Sequence, residues 1–137
     1  MISAFAKAAQ AFDDKIYAEA AEKSYSFIEK YLTGKDGRLI HRFRDGESGL
    51  QAHIDDYAFM INALIDLYET TFEIKFLKRT IELNEILMKE FWDEQNGGFY
   101  FTSSKSEELI ARQKDVYDGA VPSGNSVALF NLLRLSR

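Results

Sequence analysis

Apolar side chains recur along this chain in two different helical patterns. Residues 14–33 and 73–92 place apolar positions three and four apart with charged positions between them, which predicts amphipathic helices. Residues 56–71 and 123–136 are apolar on nearly every side, which predicts helices that are buried on several faces. The Ala-rich residues 2–12 predict one more helix at the beginning of the chain.

The segments between these helices lack the helical period. Residues 38–53 alternate in polarity and contain Asp-Gly and Ser-Gly pairs, which predicts a short hairpin. Residues 99–102 predict a short strand, and the polar residues 103–122 predict a long loop. A loop of that length inside a domain is usually either functional or flexible.

The same order of elements occurs twice, which indicates an internal repeat. Gly37 and Gly97 correspond at an offset of 60 residues, and Asn62 and Asn131 correspond at an offset of 69. A period of this size is typical of helical-hairpin repeats. The amphipathic helices would form an outer layer and the apolar helices an inner layer, as in an α/α solenoid or toroid. The alternative is an ordinary helical bundle. In the two-layer arrangement both long loops lead from an outer to an inner helix and lie on one face.

Length and topology together predict one all-α domain over residues 1–137. It is an α/α solenoid or toroid with short β-hairpin loops, in which a helix over residues 1–12 precedes two helical-hairpin repeats at about 14–71 and 73–136. The inner helices of such a repeat need neighbours on two sides. We therefore expect exposed apolar surface on them and a homodimer that forms through this surface.

Composition removes several classes of function. The net charge is −5 and no cluster of Lys and Arg is long enough to follow a phosphate backbone, so nucleic acid is not an expected partner. The chain has no cysteine, which excludes disulfides, thiolate zinc sites and cysteine nucleophiles. Neither a signal peptide nor an apolar run of about 18 residues is present, so we expect a cytoplasmic protein without a membrane segment.

Four runs of residues resemble a known family. They are 55–58 (DDYA), 91–93 (FWD), 97–102 (GGFYFT) and 118–126 (DGAVPSGNS), and together they resemble spermatogenesis-associated protein 20 and its bacterial and archaeal relatives. That family joins a thioredoxin-like domain to a large α/α toroid of the six-hairpin glycosidase type, which is similar to the toroid of the N-acylglucosamine 2-epimerases. The resemblance covers the chain from about Ala18 onward. It implies an all-α fold that is a partial α/α toroid of the six-hairpin glycosidase type, a fragment from the C-terminal side of the toroid without the thioredoxin-like part.

The resemblance also implies a carbohydrate-active domain that binds a saccharide. The reaction would be sugar epimerisation or glycoside hydrolysis by acid–base chemistry, with no cofactor and no metal ion. The alternative is a non-catalytic helical interaction domain of a thioredoxin-linked protein. In that case the polar loops contact a partner protein and the acids at the helix starts have a structural role.

Three acids on the shared face are the candidate catalytic residues. Glycoside hydrolysis needs two carboxyl groups about 5 to 9.5 Å apart, and Asp55 or Asp56 together with Asp118 would supply such a pair. One carboxyl group must stay protonated through burial or a neighbouring like charge. The alternative is that Asp55 and Asp56 cap an inner helix, and that Asp118 forms an Asx turn before Gly119.

Four residues near the loops are candidates for substrate binding. The rings of Tyr57, Tyr100 and Tyr117 would pack against the C–H faces of a sugar, although packing within the core explains them equally well. Asn125 lies at the start of the last helix, on the same expected face.

The two histidines are not assigned a role. His53 lies close to Asp55 and Asp56 in sequence, which is compatible with a metal site or an acid–base pair. Epimerases of the similar fold use histidines for proton transfer, but the resemblance assigns neither histidine of this chain to those positions. His41 lies on the strand-like segment and is expected to face solvent. Two histidines with loosely spaced acids do not predict a metal site.

Overall fold

Five helices and one two-stranded hairpin appear in a computed structural model of the chain, which describes residues 1–106 and 111–137. The elements are α1 (Ile2–Phe12), α2 (Lys15–Tyr31), β1 (Ile40–Arg44), β2 (Glu47–Gln51), α3 (Ile54–Thr71), α4 (Ile74–Phe91) and α5 (Gly124–Leu135). This confirms the predicted all-α class with a short β-hairpin loop. Within the described residues, none of the helices combines the length and the apolar character needed to cross a membrane.

The helices form two layers. α1, α3 and α5 lie side by side and parallel, and a buried carboxylate, Asp66, joins all three. It accepts hydrogen bonds from Ser3 of α1 and, at 2.7 Å, from the guanidinium of Arg134 of α5. α2 and α4 form the outer layer and are linked by the ion pair of Arg79 with Glu29, 2.8 Å long. The predicted inner and outer helices are confirmed, and the helix at residues 2–12 also belongs to the inner layer.

The two asparagines inside the apolar helices connect neighbouring inner helices. Asn131 of α5 is fully buried and donates from Nδ2 to the carbonyl of Ala58 at 2.7 Å. Asn62 of α3 accepts a hydrogen bond from Arg134 at 2.9 Å. Buried amides are costly unless they find partners, so these contacts fix the register between α3 and α5.

Both loops between an outer and an inner helix begin with the same local structure. Thr33 forms an isolated bridge with Leu39, and Trp92 forms the equivalent bridge with Phe99, the two partners lying 59 and 60 residues further along. Between the two partners of each bridge lies a glycine with a positive φ, 80° at Gly37 and 72° at Gly97, a conformation that other residues rarely adopt. The repeat predicted from these glycines is therefore present in the structure.

The predicted strand over residues 99–102 is wrong beyond Phe99. Tyr100 donates its N–H to the carbonyl of Phe91, and Phe101 donates its N–H to the carbonyl of Gln113, so no continuous ladder forms. The first loop does form the predicted hairpin, with Ile40 opposite Gln51. The two loops touch through Phe101, whose carbonyl accepts the N–H of Ile54 at 3.1 Å.

The outward face of α5 is exposed. Leu129, Phe130 and Leu133 keep 55, 55 and 54 % of their surface accessible, whereas the residues of α5 that face α3 are buried. The composition of α5 predicted a helix that is buried on nearly every side. The structure shows instead that one face of this helix is exposed. The expectation of exposed apolar surface on an inner helix is confirmed for α5.

Candidate functional site

The N-terminal ends of α3 and α5 meet on the face that carries the two long loops. A Cβ atom built on Gly124 would overlap Asp55 Oδ1 and lie 2.9 Å from Ile54 Cγ2. The first turns of the two helices are therefore in contact, and glycine permits this close approach. The expectation that both inner helices begin on one face is confirmed.

Asp55 lies at this junction. Burial raises the pKa of its carboxyl group above the ordinary value, and the negative charges of Asp56 and Asp115 raise it further, against the backbone N–H of Gly124, which lowers it. Desolvation and like charge both disfavour the ionised form. The surroundings of Asp55 therefore shift its protonation equilibrium toward the neutral carboxyl group.

A second group of titratable side chains lies beside it, the His–Asp cluster of His41, His53 and Asp56. His41 Nδ1 lies 2.9 Å from Asp56 Oδ2, and His53 Nδ1 lies 3.9 Å from the same oxygen. The two imidazole rings are 5.0 Å apart and nearly perpendicular, at 77°. The cluster thus places two imidazoles around one carboxylate oxygen.

Local folding rules explain the positions of these three side chains. His53 is the N-cap of α3, and its backbone N–H donates to Asp56 Oδ2 at 2.8 Å, as in a capping box. The His53 ring stacks on Phe101 of the second loop, with 4.6 Å between centroids and 19° between planes. His41 lies on β1. The pairing of β1 with β2 in the hairpin brings this strand back toward the start of α3.

A cavity of about 750 Å³ opens between the hairpin, the start of α3 and residues 102–106; we call it the hairpin cavity. Its polar lining includes Arg38, His53, Tyr57, Glu90, Ser103 and Lys105. A second cavity of about 1070 Å³, the helix cavity, lies between α1, α2 and α3 and is bordered by Asp55 and Asp56. Within the His–Asp cluster, His53 lines the hairpin cavity and Asp56 borders the helix cavity.

Glu90 is the buried carboxylate of the hairpin cavity, with 3 % of its surface exposed. Arg38 Nε donates to its Oε1 at 3.0 Å, and Ser103 Oγ donates to its Oε2 at 2.7 Å. Burial alone would raise the pKa of Glu90, but the hydrogen bonds from Arg38 and Ser103 outweigh burial and hold the pKa below its ordinary value. Glu90 is therefore an ionised carboxylate that Arg38 and Ser103 hold in place in the wall of the cavity.

Asp118 lies at the start of α5 and contacts its own turn. Its Oδ1 accepts the N–H of Ser123, and its Oδ2 accepts the hydroxyl of Ser126, both at 2.9 Å. These hydrogen bonds lower the pKa of Asp118. These contacts differ from the Asx turn before Gly119 that the sequence suggested as the alternative, because the carboxylate binds the start of α5, five and eight residues further along.

Two of the predicted binding residues are engaged in the fold. Asn125 is 4 % exposed; its Oδ1 accepts the N–H of Phe99 at 2.7 Å, and its Nδ2 donates to the carbonyls of Phe99 and Asp115 at 2.9 and 2.8 Å. Tyr100 donates its hydroxyl to Asp93 at 2.9 Å, beneath the guanidinium of Arg112. Both side chains hold the second loop in place.

Of the other two predicted binding residues, Tyr57 faces the hairpin cavity and Tyr117 faces the solvent. Tyr57 is 2 % exposed, lines the hairpin cavity and packs its ring on Phe91 at 5.3 Å. Tyr117 is 81 % exposed in the second loop. Of the four tyrosine and asparagine candidates, Tyr117 is thus the side chain that is most accessible to a molecule from solution.

Sequence reasoning missed the pairing of His41 with Asp56 and the burial of Glu90. The sequence did contain a signal for the pairing of His41 with Asp56. A turn at Asp45-Gly46 places Ile40 opposite Gln51, and this register brings His41 toward the start of α3. Glu90 carried no such signal, because its partners come from two separate loops, 52 and 13 residues away in sequence.

Comparison with known sequences identifies relatives along almost the whole chain. No protein-family model matches it. An uncharacterised protein of Caenorhabditis elegans is 39 % identical over 98 % of this chain, and spermatogenesis-associated protein 20 is 33 % identical in Rattus norvegicus and 32 % in Homo sapiens, again over 98 %. The chain spans 19 % of the length of the first of these relatives and 18 % of the other two.

Comparison with solved structures identifies the fold. The cellobiose 2-epimerase of Bacillus thermoamylovorans superposes with a TM-score of 0.76 at 19 % identity, over 97 % of this chain and 37 % of the epimerase. The cellobiose 2-epimerase of Spirochaeta thermophila gives a TM-score of 0.72 at 18 % identity, over 97 % and 34 %. Over almost its whole length this chain is therefore similar to one segment of spermatogenesis-associated protein 20, and it folds as part of an α/α toroid.

Proposed function

We propose that this chain forms part of a saccharide-processing site whose chemistry is proton transfer of the epimerase type. The observation that carries the proposal is the contact of His41 with Asp56, 2.9 Å long, in a cluster whose second imidazole, His53, lines the hairpin cavity of about 750 Å³. The fold shared with two cellobiose 2-epimerases supports a sugar as the substrate class.

The chemistry of epimerisation fits this set of residues. Inverting a carbon next to a carbonyl group requires a base that removes the proton from that carbon and an acid that returns a proton on the opposite face. A carboxylate that contacts an imidazole fixes its orientation, as Asp56 does for His41. His53 places a second imidazole 5.0 Å from the first, and Asp55 supplies a carboxyl group with a raised pKa.

The contacts of Asp118 favour proton transfer over glycoside hydrolysis. Hydrolysis requires two carboxyl groups that face each other across a glycosidic bond. Both oxygens of Asp118 accept hydrogen bonds within the cap of α5, and those bonds lower its pKa. We therefore assign Asp55 and Asp56 to the reacting site and Asp118 to its support.

The walls of the hairpin cavity suit a polar, ring-shaped ligand. Tyr57 contributes an aromatic ring, and the Arg38–Glu90 pair and Ser103 contribute charged and hydroxyl groups that can exchange hydrogen bonds with sugar hydroxyls. Ligand sites of this kind combine apolar walls with a few fixed polar groups. Tyr117, exposed on the same face, is proposed to cover a bound sugar.

A second candidate function is that of a helical interaction domain. The observation in its favour is the apolar face of α5, where Leu129, Phe130 and Leu133 are each more than half exposed. Exposed apolar patches of this kind mark contact surfaces. We propose that a second copy of this chain packs on that face.

Exchange of a sugar proton with solvent tests the catalytic proposal. The chain is incubated in D2O with cellobiose, glucose or N-acetylglucosamine, and proton NMR follows loss of the signal of the hydrogen on C2. We expect exchange with at least one sugar and a loss of at least tenfold in rate in His41→Gln. Asp45→Asn is the matched control, because Asp45 lies at the exposed hairpin turn and contacts Arg44.

The outcomes separate the two candidate functions. Exchange that disappears in His41→Gln and persists in Asp45→Asn supports the proton-transfer site. Absence of exchange for all three sugars, or equal rates in His41→Gln and the unmodified chain, overturns the assignment of His41 and leaves the interaction domain as the better proposal.

A further inference from the structure

The His–Asp cluster has a composition that suits a metal ion. Its three side chains each offer one ligand atom, and these atoms all lie within 4.8 Å of one another. Two nitrogen donors and one oxygen donor match the preferences of Zn²⁺, Co²⁺, Ni²⁺ and Cu²⁺, whereas Mg²⁺ and Ca²⁺ prefer oxygen alone. His41 comes from β1 and the other two residues from the start of α3, so the hairpin fold assembles the set.

Small movements bring these atoms to coordination distance. With metal–ligand bonds of about 2.0 to 2.1 Å, ligand atoms in a tetrahedral site are separated by about 3.3 Å. The His41 Nδ1–Asp56 Oδ2 distance of 2.9 Å is slightly shorter, and the His53 Nδ1–Asp56 Oδ2 distance of 3.9 Å is slightly longer. Rotation of the partly exposed His41 side chain accommodates the first change, and a small rotation of the His53 ring or of the Asp56 carboxylate accommodates the second.

Two of the three donors are held by neighbouring groups. Asp56 Oδ2 accepts the backbone N–H of His53 at 2.8 Å, and the ring of His53 stacks on Phe101. Hydrogen bonds and packing of this kind orient metal ligands and strengthen their binding. The positive end of α3 disfavours a cation, and the two carboxylates in the first turn of that helix, Asp55 and Asp56, offset this effect.

We propose that His41, His53 and Asp56 form a binding site for a divalent transition-metal ion, with Zn²⁺ as the ion of best fit. The side chains of the three residues are 44, 30 and 28 % exposed, so the fourth position is open to water or another small ligand. Catalytic zinc sites likewise have three protein ligands and one open position.

Metal binding and proton transfer compete for the same lone pairs. A metal ion on His41 and Asp56 occupies the atoms that would accept a proton from a sugar, so Zn²⁺ is expected to inhibit the exchange reaction proposed above. The metal site itself rests on the geometry of the cluster and does not depend on that reaction. Metal binding is therefore measured without sugar.

Titration of the chain with Zn²⁺ tests the site. The chain is prepared without a histidine tag, Zn²⁺ binding is followed by isothermal titration calorimetry, and Co²⁺ binding is followed by visible absorption, which reports the coordination geometry. We expect one ion per chain and an affinity at least tenfold lower in His41→Gln. Because His41 is an exposed strand residue, this variant should fold, and circular dichroism checks that it does. Asp45→Asn, at the exposed turn of the same hairpin, should bind like the unmodified chain.

The Zn²⁺ titration tests the metal site independently of the proposed sugar chemistry. Binding with one ion per chain that weakens in His41→Gln and in His53→Gln supports the site, whether or not any sugar exchanges its proton. Equal Zn²⁺ affinity in His41→Gln and the unmodified chain, or no binding at micromolar concentration, overturns the metal site even if sugar exchange is observed.

Discussion

The hydroxyl oxygen of Tyr57 accepts the backbone N–H of Leu39 at 3.1 Å, inside the core. This bond ties the first turn of α3 to the bridge that follows α2. In the second repeat Asn125 does the same, because its Oδ1 accepts the N–H of Phe99 at 2.7 Å. Two different side chains thus satisfy the equivalent backbone group in the two repeats. Each loop is fastened to the inner helix that it precedes, and this holds the candidate site together.

Removing the hydroxyl of Tyr57 should destabilise the fold. Tyr57→Phe keeps the ring against Phe91 but leaves the buried N–H of Leu39 without its acceptor, which costs about 1 to 3 kcal/mol. Urea denaturation followed by circular dichroism measures the loss. Tyr117→Phe is the control, because Tyr117 is 81 % exposed and its hydroxyl should contribute less than about 0.5 kcal/mol. Equal stability of the two variants would contradict the proposed role of the bond.

A methyl group at Gly124 should separate the first turns of α3 and α5. In Gly124→Ala the new Cβ overlaps Asp55 Oδ1, so the overlap should cost about 1 to 3 kcal/mol despite the better helix propensity of alanine. Gly49→Ala is the matched control, since the nearest atom to its Cβ would be Arg42 Nη2 at 3.8 Å. Thermal unfolding compares the two, and a melting temperature of Gly124→Ala at or above that of Gly49→Ala would refute the close packing.

The layers, the repeat and the shared face were predictable from the sequence because each rests on a local period. Charged positions that recur every three or four residues fix which face of α2 and α4 meets water. The glycines at 37 and 97 fix the turns after them, because both residues adopt positive φ angles. The topology of the repeat then places the starts of α3 and α5 together.

The chemistry of the site was less predictable, because it depends on contacts between distant segments. His41 meets Asp56 through the register of the hairpin, and Phe101 fixes the ring of His53 from a second loop. Glu90 follows the charge pattern of an outer helix, yet it is buried because Arg38 and Ser103 reach it. Hydrophobic periodicity carries no information about such pairings.

Glu90 should make the fold sensitive to acid. Its pKa is lower in the folded chain than the ordinary value of 4.5, so its contribution to stability is present above about pH 4.5 and is lost as the pH falls through the folded pKa. The free energy of unfolding should therefore decline below pH 4.5, and less steeply in Glu90→Gln. Urea denaturation at several pH values measures both slopes. Parallel slopes in the two proteins would assign the acid sensitivity to other groups.

Asp55 should have the opposite effect to Glu90 and should make the fold less stable as the pH rises. Its pKa is raised above 3.8 in the folded chain, so its contribution is fully present below that pH and is lost as the pH rises through the folded pKa. Asp55→Asn has no carboxyl group to ionise at this position, so its stability does not fall in this way as the pH rises. The stability of the variant relative to the unmodified chain should therefore increase between pH 4 and pH 7. The same urea series measures it. A relative stability that stays constant over this range would show that the folded chain does not perturb this carboxyl group.

The apolar face of α5 should determine the oligomeric state. If a second copy packs on Leu129, Phe130 and Leu133, the chain is a dimer in light scattering at high concentration, and Leu133→Glu converts it to a monomer because a charge cannot be buried there without a partner. Ile81→Glu, on the outer helix α4 and 48 % exposed in the single chain, should leave the dimer intact. A monomeric unmodified chain would contradict the self-association, and dissociation of the dimer by Ile81→Glu rather than Leu133→Glu would place the interface on the outer layer.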